Sequence, residues 1–327
     1  MAYQVIGIGN AVMDVISTAS DARLAELGIR KGIMQLIERD RAEELTHADT
    51  GARLVPGGSV ANTLTGLGRL GLETAFIGRV AADDLGRAYA HEMGTDGTDF
   101  VNPPAEAGLP TSRSIIFVTP DGERSMNTYL GISAELDEGD VDAGLFSGGS
   151  WLFLEGYLFD KPKGKAAFLK AAQACHAAGG QAGIALSDPF CVDRHREDFR
   201  RLVAGPMDYV IGNLHEWQAL YQVEDLEEAL RLASADCGTV ICTRSGEDAI
   251  LIREGERVTA PVHPVTPVDA TGAGDQFAAG LIYGLATGKP LAVAGRMGCI
   301  AAAEVITHLG ARPEADVMVL FRAEGLV

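Results

Sequence analysis

The stretch Asp269-Ala270-Thr271-Gly272-Ala273-Gly274-Asp275 runs straight into the apolar segment Phe277 to Leu285. Small residues followed by an apolar run predict a loop that enters a helix. Gly272, Ala273 and Gly274 carry almost no side chain. Their backbone N–H groups can therefore approach an anion closely, and the helix N-terminus adds a partial positive charge. Asp275 falls in the first turn, beside that anion. A carboxylate there repels a phosphate unless it has a task of its own. Such a task is to accept the proton of a hydroxyl that attacks the phosphorus. The same residues also suit a plain helix start with an acidic first turn, so the stretch alone leaves both readings open.

Upstream, apolar strands alternate with helical patterns. Tyr3 to Ile8, Thr74 to Val80, Trp151 to Leu154, Ala182 to Leu186, Tyr209 to Ile211, Val240 to Cys242 and Ala249 to Ile252 read as strands. Ser59 to Leu70, and Lys163 to Ala178 stopping at Gly179-Gly180, read as helices. This alternation predicts an α/β protein, a three-layer α/β/α sandwich around a mostly parallel sheet. Ile115 to Thr119 and Ser125 to Tyr129 flank Asp121-Gly122, a hairpin signal. That hairpin and the irregular polar stretch before it break the alternation. They predict a small β lid from 15–38 and 108–133, leaving 1–14, 39–107 and 134–327 to the large domain.

The composition narrows the function. The 327 residues are 47% hydrophobic and 22% charged, which suits a large packed core. A formal net charge of −18 disfavours nucleic acid and anionic membranes as partners. An anionic ligand would have to be held by backbone dipoles, a metal ion and a few basic residues. The five cysteines are scattered with no C-x-x-C, so they read as small core residues. No segment reaches the roughly 18 apolar residues of a membrane span, and a reducing cytoplasm is the expected location. Gly7-Ile8-Gly9-Asn10-Ala11-Val12 begins like a dinucleotide fingerprint but ends in valine, which disfavours a nicotinamide-dependent oxidoreductase. Neither Gly164-Lys165-Ala166 nor Gly288-Lys289-Pro290 completes a P-loop.

Two longer patterns carry a resemblance. One is Gly57-Gly58-Ser59-Val60-Ala61-Asn62, continuing through Leu67-Gly68-Arg69-Leu70-Gly71 to Asp83-Asp84-Leu85-Gly86. The other is Asp269 to Asp275 with Gln276-Phe277-Ala278-Ala279-Gly280. Together they resemble the ribokinase-like (PfkB) family of carbohydrate and nucleoside kinases, over nearly the whole chain. Gly9-Asn10-Ala11-Val12-Met13-Asp14, Leu186-Ser187-Asp188-Pro189-Phe190 and Gly212-Asn213-Leu214-His215-Glu216 are most similar to its adenosine kinase branch.

The resemblance implies ATP and Mg2+ as cofactors, and roles for particular residues. Asp275 would be the general base, with the amides of Gly272, Ala273 and Gly274 as an anion hole. Asn10, Asp14, Gly57, Gly58 and Asn62 would hold the sugar. Asn213 and Glu216 would act on magnesium through water, since that ion keeps several of its waters. Arg124 would neutralise the transferring phosphoryl group. Thr243 and Ser245 lie in a stretch similar to the family's nucleotide loop T-x-G-x-x-G, although Ser245 and Asp248 replace its two glycines. Asp269 and Thr271, with the segment Ala303 to Ala311, resemble loops that bind K+ in ribokinase relatives.

The expected reaction is ATP-dependent phosphorylation of a primary hydroxyl on a ribosyl compound, with the 5′-hydroxyl of adenosine as the leading candidate. A sugar kinase of the same family, acting on ribose, fructose or a keto-sugar acid, is the alternative. A non-catalytic sugar or nucleotide sensor is disfavoured by the intact Asp275. The expected assembly is a monomer or a homodimer.

Overall fold

The computed structural model describes residues 2–47 and 51–327, with the side chain of Asp160 left out. Among these residues a nine-stranded sheet forms the middle layer. Within it Val5–Ile8 pairs in parallel with Thr74–Ile77 on one side and Trp151–Glu155 on the other. Gln181–Ala185, Tyr209–Asn213 and Thr239–Arg244 extend the parallel set, and the antiparallel strands Glu247–Arg253 and Glu256–Ala260 close one edge. The far edge is the short strand Thr98–Phe100.

Both faces of the sheet are buried. Ile6, Ile8, Leu152, Leu154, Ile184 and Val210 pack on one side with helices Pro162–Ala177, Pro189–Val203, Leu214–Tyr221 and Leu226–Asp236. Val5, Phe76, Phe153, Tyr209, Ile211 and Leu251 pack on the other with Ser59–Arg69, Asp84–Thr95, Ala273–Ala286 and Leu291–Val305. Neighbouring residues of one strand face opposite layers, which is why these strands read as continuous apolar runs. The three-layer α/β/α architecture expected from the alternation is the one found. All five cysteines are buried and free. No helix among the described residues is long and apolar enough to cross a membrane.

A second, five-stranded sheet stands at the carboxyl ends of the large sheet's strands. The Asp121-Gly122 hairpin is its antiparallel pair Ser112–Val118 and Arg124–Tyr129. This sheet reaches beyond the expected segments 15–38 and 108–133. Val12–Thr18 starts inside the part given to the large domain, Arg53–Gly57 pairs along its edge, and Ala42 and Leu45 of helix Arg39–His47 pack beneath Ile115 and Phe117. Pro56 and Gly57 weaken the strand pattern of 53–57, and an edge strand tolerates proline because its N–H would face outward. The polar stretch 15–38 also holds order of its own, in helix Asp21–Glu26 and strand Met34–Leu36.

The order of the large sheet reverses at Val5–Ile8. Ligands of open α/β sheets bind outside the strand carboxyl ends at such a reversal. Asn10 and Glu155 stand at this point, and the small sheet faces it across a cleft of about 1260 Å³.

Candidate active site

Two helix N-termini face the cleft without side-chain caps. Ser59–Arg69 starts at Gly58 and Ala273–Ala286 starts at Gly272. Both glycines have positive φ, 101° and 80°. A Cβ on Gly58 would collide with the Asn10 carbonyl oxygen, and one on Gly272 would lie 2.5 Å from Ala311 Cα. Only glycine lets each loop turn this tightly and present bare amides. Gly274 has open space where its Cβ would be. Gly272 and Gly274 line the cleft.

Asp275 lies on the cleft floor, half-buried. Its Oδ1 accepts from Ser59 Oγ at 2.7 Å and its Oδ2 from Asn62 Nδ2 at 2.9 Å. Burial raises its pKa to about 6, against the pull of those two hydrogen bonds. The aspartate is therefore less acidic than an ordinary one, yet about ten to one ionised at pH 7. Asn62 Oδ1 is buried with no partner, next to the carboxylate. It can accept a hydrogen bond from an incoming hydroxyl.

Asp14 projects from Val12–Thr18 into the same cleft. Burial pushes its carboxyl up to about 7, while Arg124 and Arg312 nearby pull it down. Gly57 stands behind it, since a Cβ there would be 2.6 Å from Asp14 Oδ2. Asn10 also lines the cleft, but its side chain is committed to the protein. Its Nδ2 donates to Glu155 Oε1 at 2.6 Å and its Oδ1 accepts from Ser133 Oγ.

Glu155 was not singled out from the sequence. It ends a buried strand, accepts from the Asn10 and Val60 amides, and is held up to about 7 by burial. A carboxylate closing the apolar run Trp151 to Leu154 was the available signal. Ser59 was also missed, although it sits inside the Gly57 to Asn62 motif.

Asp14, Glu155, Glu216 and Asp275 are all shifted upward. At these four sites the folded protein keeps protons that the unfolded chain has already released, so the stability they contribute is lost as pH rises from about 4 to about 7. The thermal midpoint of the ligand-free protein is expected to fall from about pH 5 to about pH 7, above the range in which carboxylates with lowered pKa such as Asp83, Asp121 and Asp269 add stability. Glu155→Gln should flatten the slope, and an unchanged slope in that variant would remove Glu155 as a contributor.

Asn213 and Glu216 form a reciprocal cap on Leu214–Tyr221. Asn213 N and Nδ2 donate to the two Glu216 oxygens, and Glu216 N donates to Asn213 Oδ1. Both residues line the cleft. Each Glu216 oxygen has a lone pair left to accept from a metal-bound water, so the pair fits a magnesium ion carried in by nucleotide phosphates. Among the described residues no three His, Cys, Asp or Glu side chains converge on one point to hold a metal themselves.

Thr243 lines the cleft at the end of its strand, but Ser245 does not. Ser245 turns the chain at φ 54°, which explains a glycine at that place in the T-x-G-x-x-G pattern. Asp248 is directed away and accepts from Val262 N.

Arg124 differs from expectation. Its Nη2 lies 2.7 Å from Asp269 Oδ2, both side chains are partly buried, and it is not part of the cleft wall. A partly buried carboxylate within reach is a stronger partner than water in an open cleft. The same contact bears on the K+ expectation. Asp269 Oδ1 accepts from Thr271 N and Oγ1 and Oδ2 accepts from Gly310 N, while the Arg124 guanidinium forms an ion pair with Oδ2. A carboxylate has about four lone-pair sites; three hydrogen bonds use three of them, and the guanidinium already balances the charge. The Ile306 carbonyl in turn accepts from Val268 N and Asp269 N. A cation at Asp269 would have to compete with the Arg124 guanidinium for the same carboxylate oxygen.

Residues 29–317 match the model of the pfkB family carbohydrate kinases. The chain belongs to this family. It is a phosphotransferase acting on an alcohol group, and kinases of the family use ATP, typically with magnesium. A probable sugar kinase from Rhizobium etli is similar in structure at 41% identity and TM-score 0.91, covering 100% of both chains. An adenosine kinase from Sinorhizobium meliloti is similar at 41% identity and TM-score 0.90, covering 99% of this chain and 100% of its own. A fructokinase from Klebsiella pneumoniae is 28% identical over 71% of this chain and 77% of its own. This PfkB kinase is thus alike to proteins named for different acceptors, and the choice among acceptors rests on the cleft.

Proposed function

We propose that this kinase transfers the γ-phosphoryl group of MgATP to the 5′-hydroxyl of adenosine. The observation that supports a nucleoside over a free sugar is the apolar wall of the lid. Ile33, Met34, Leu36, Met126 and Leu130 face the cleft, with Met34 53% and Leu36 57% exposed. Tyr157 and Phe190 stand in the same cleft, 40% and 74% exposed. A free sugar presents hydroxyls on nearly every carbon and leaves such a wall unused. A purine presents a flat apolar face that aromatic and methionine side chains cover well.

Asp14 and Asn62 Oδ1 hold the sugar hydroxyls. Asp275 accepts the 5′-hydroxyl proton as the oxygen–phosphorus bond forms and the bond from phosphorus to the ADP oxygen breaks. The amides at Gly272 to Gly274 take up charge on the moving phosphoryl oxygens. Asn213 and Glu216 would hold magnesium through its waters, and the ion would supply further neutralisation of phosphate charge. Closure of the small sheet keeps water from competing as acceptor.

The test is ADP release with MgATP against adenosine, other nucleosides, ribose, fructose and keto-sugar acids. Turnover confined to adenosine supports the proposal. Turnover on a free sugar keeps the mechanism and replaces the acceptor, which is the reading that the Rhizobium and Klebsiella relatives favour. Because Asp269 is already paired with Arg124 and accepts three hydrogen bonds, exchanging potassium for tetramethylammonium is expected to leave kcat unchanged. A rise in kcat with potassium would show that Arg124 moves aside for it.

A further inference from the structure

Gln276 follows the base directly and points away from the cleft, 1% exposed. Its carboxamide has two N–H donors, and both are used on other segments. Nε2 donates to the Asn62 carbonyl at 2.9 Å and to the Ala311 carbonyl at 3.1 Å. Asn62 is the residue whose amide holds Asp275 Oδ2. Ala311 is the wall against which Gly272 packs. One side chain therefore ties together the helix that holds the base, the helix that carries it, and the segment that backs the anion hole.

The facing helix makes room for it. A Cβ on Gly66 would collide with Gln276 Oε1. Gly66 sits inside Ser59–Arg69, where glycine costs helix stability relative to alanine by about 1 kcal/mol. The glycine is accounted for by the space that the glutamine occupies.

We propose that Gln276 is a positioning residue for phosphoryl transfer. It fixes the distance between the base and the anion hole by clamping Asn62 and Ala311 to one point behind them. It touches neither substrate. It acts on the step in which Asp275, the acceptor hydroxyl and the phosphorus must be in line. Such alignment is sensitive, since a displacement of about 1 Å can cost about 100-fold in rate.

The inference rests on Asp275 as base and on Gly272 to Gly274 as the anion hole. Gln276→Met keeps the volume and removes both donors. Its kcat per folded site is expected to fall by about 10- to 100-fold, with little change in KM for ATP or acceptor. Gly66→Ala, which displaces the glutamine rather than removing it, is expected to give the same kcat-selective loss. It also supplies the answer if the methionine variant does not fold. The double variant should be no slower than Gln276→Met, because both changes break one linkage.

A purely structural role would lower the thermal midpoint and leave kcat per folded site unchanged, and that result overturns the proposal. Additive losses in the double variant overturn it as well. Asp275→Asn, assayed alongside, separates the two levels. If that variant keeps full turnover, the assignment of the base has failed. If it loses turnover while Gln276→Met does not, only the inference on Gln276 has failed.

Discussion

Asp275→Asn is expected to lower kcat by about 1000-fold, the middle of the range for a lost general base. The change is nearly isosteric. Ser59 Oγ and Asn62 Nδ2, which hold the two carboxylate oxygens, remain in place. The anion hole belongs to the backbone and is not altered in composition. What disappears is the carboxylate that takes the hydroxyl proton and becomes neutral. KM for ATP should change little, because the loss falls on the chemical step.

The pH profile gives a second readout. The wild-type rate should rise with pH through a limb between about pH 6 and about pH 7 and then level. Burial raises Asp275 to about 6 and the neighbouring Asp14 to about 7. The direction follows from the role, since a base must be ionised to accept the proton. In Asp275→Asn the contribution of residue 275 to that limb is gone. A variant that kept activity within about tenfold of wild type would remove Asp275 from the role of base.

The parts of this site that were legible in the sequence share one property. Their meaning is local. Gly272 and Gly274 beside Asp275 announce a bare helix start because each residue's constraint is met within a few positions. Asn213 and Glu216 are three apart and cap the same helix that they begin. The hairpin around Asp121-Gly122 is likewise a short-range signal.

What stayed hidden depends on partners far along the chain. Glu155 gains its role from Asn10, 145 residues away. Arg124 is drawn from the cleft to Asp269, and nothing within either segment marks the other. Gln276 was visible as part of a motif, yet its two acceptors belong to segments before and after it. The edge strand Arg53–Gly57 was obscured by its own proline. A charged or amide residue at the end of a buried run can be flagged from sequence, but its partner is fixed only by the packing of three layers.

Gly272→Val tests the other half of the machinery, and the expected loss in kcat is at least about 1000-fold. Two causes act together. The residue sits at φ 80°, where a β-branched side chain is strained. Its Cβ would also lie 2.5 Å from Ala311 Cα, a distance that no side-chain rotation relieves. The loop must shift, and a shifted loop carries its amides away from the phosphoryl oxygens. Loss of a single donor of this kind costs about 100- to 1000-fold, and here neighbouring amides move as a unit. Gly274→Ala is the control for the chemistry of the loop as distinct from its shape. Nothing lies within 4 Å of the added Cβ, and φ there is not in the left-handed region. The backbone can stay where it is, so the loss should be clearly smaller than for Gly272→Val. Equal losses in the two variants would mean that crowding of the bound phosphate governs the rate, and that backbone direction does not. Unequal losses, largest at Gly272, tie catalysis to the one turn that lets bare amides and a carboxylate share a single helix start.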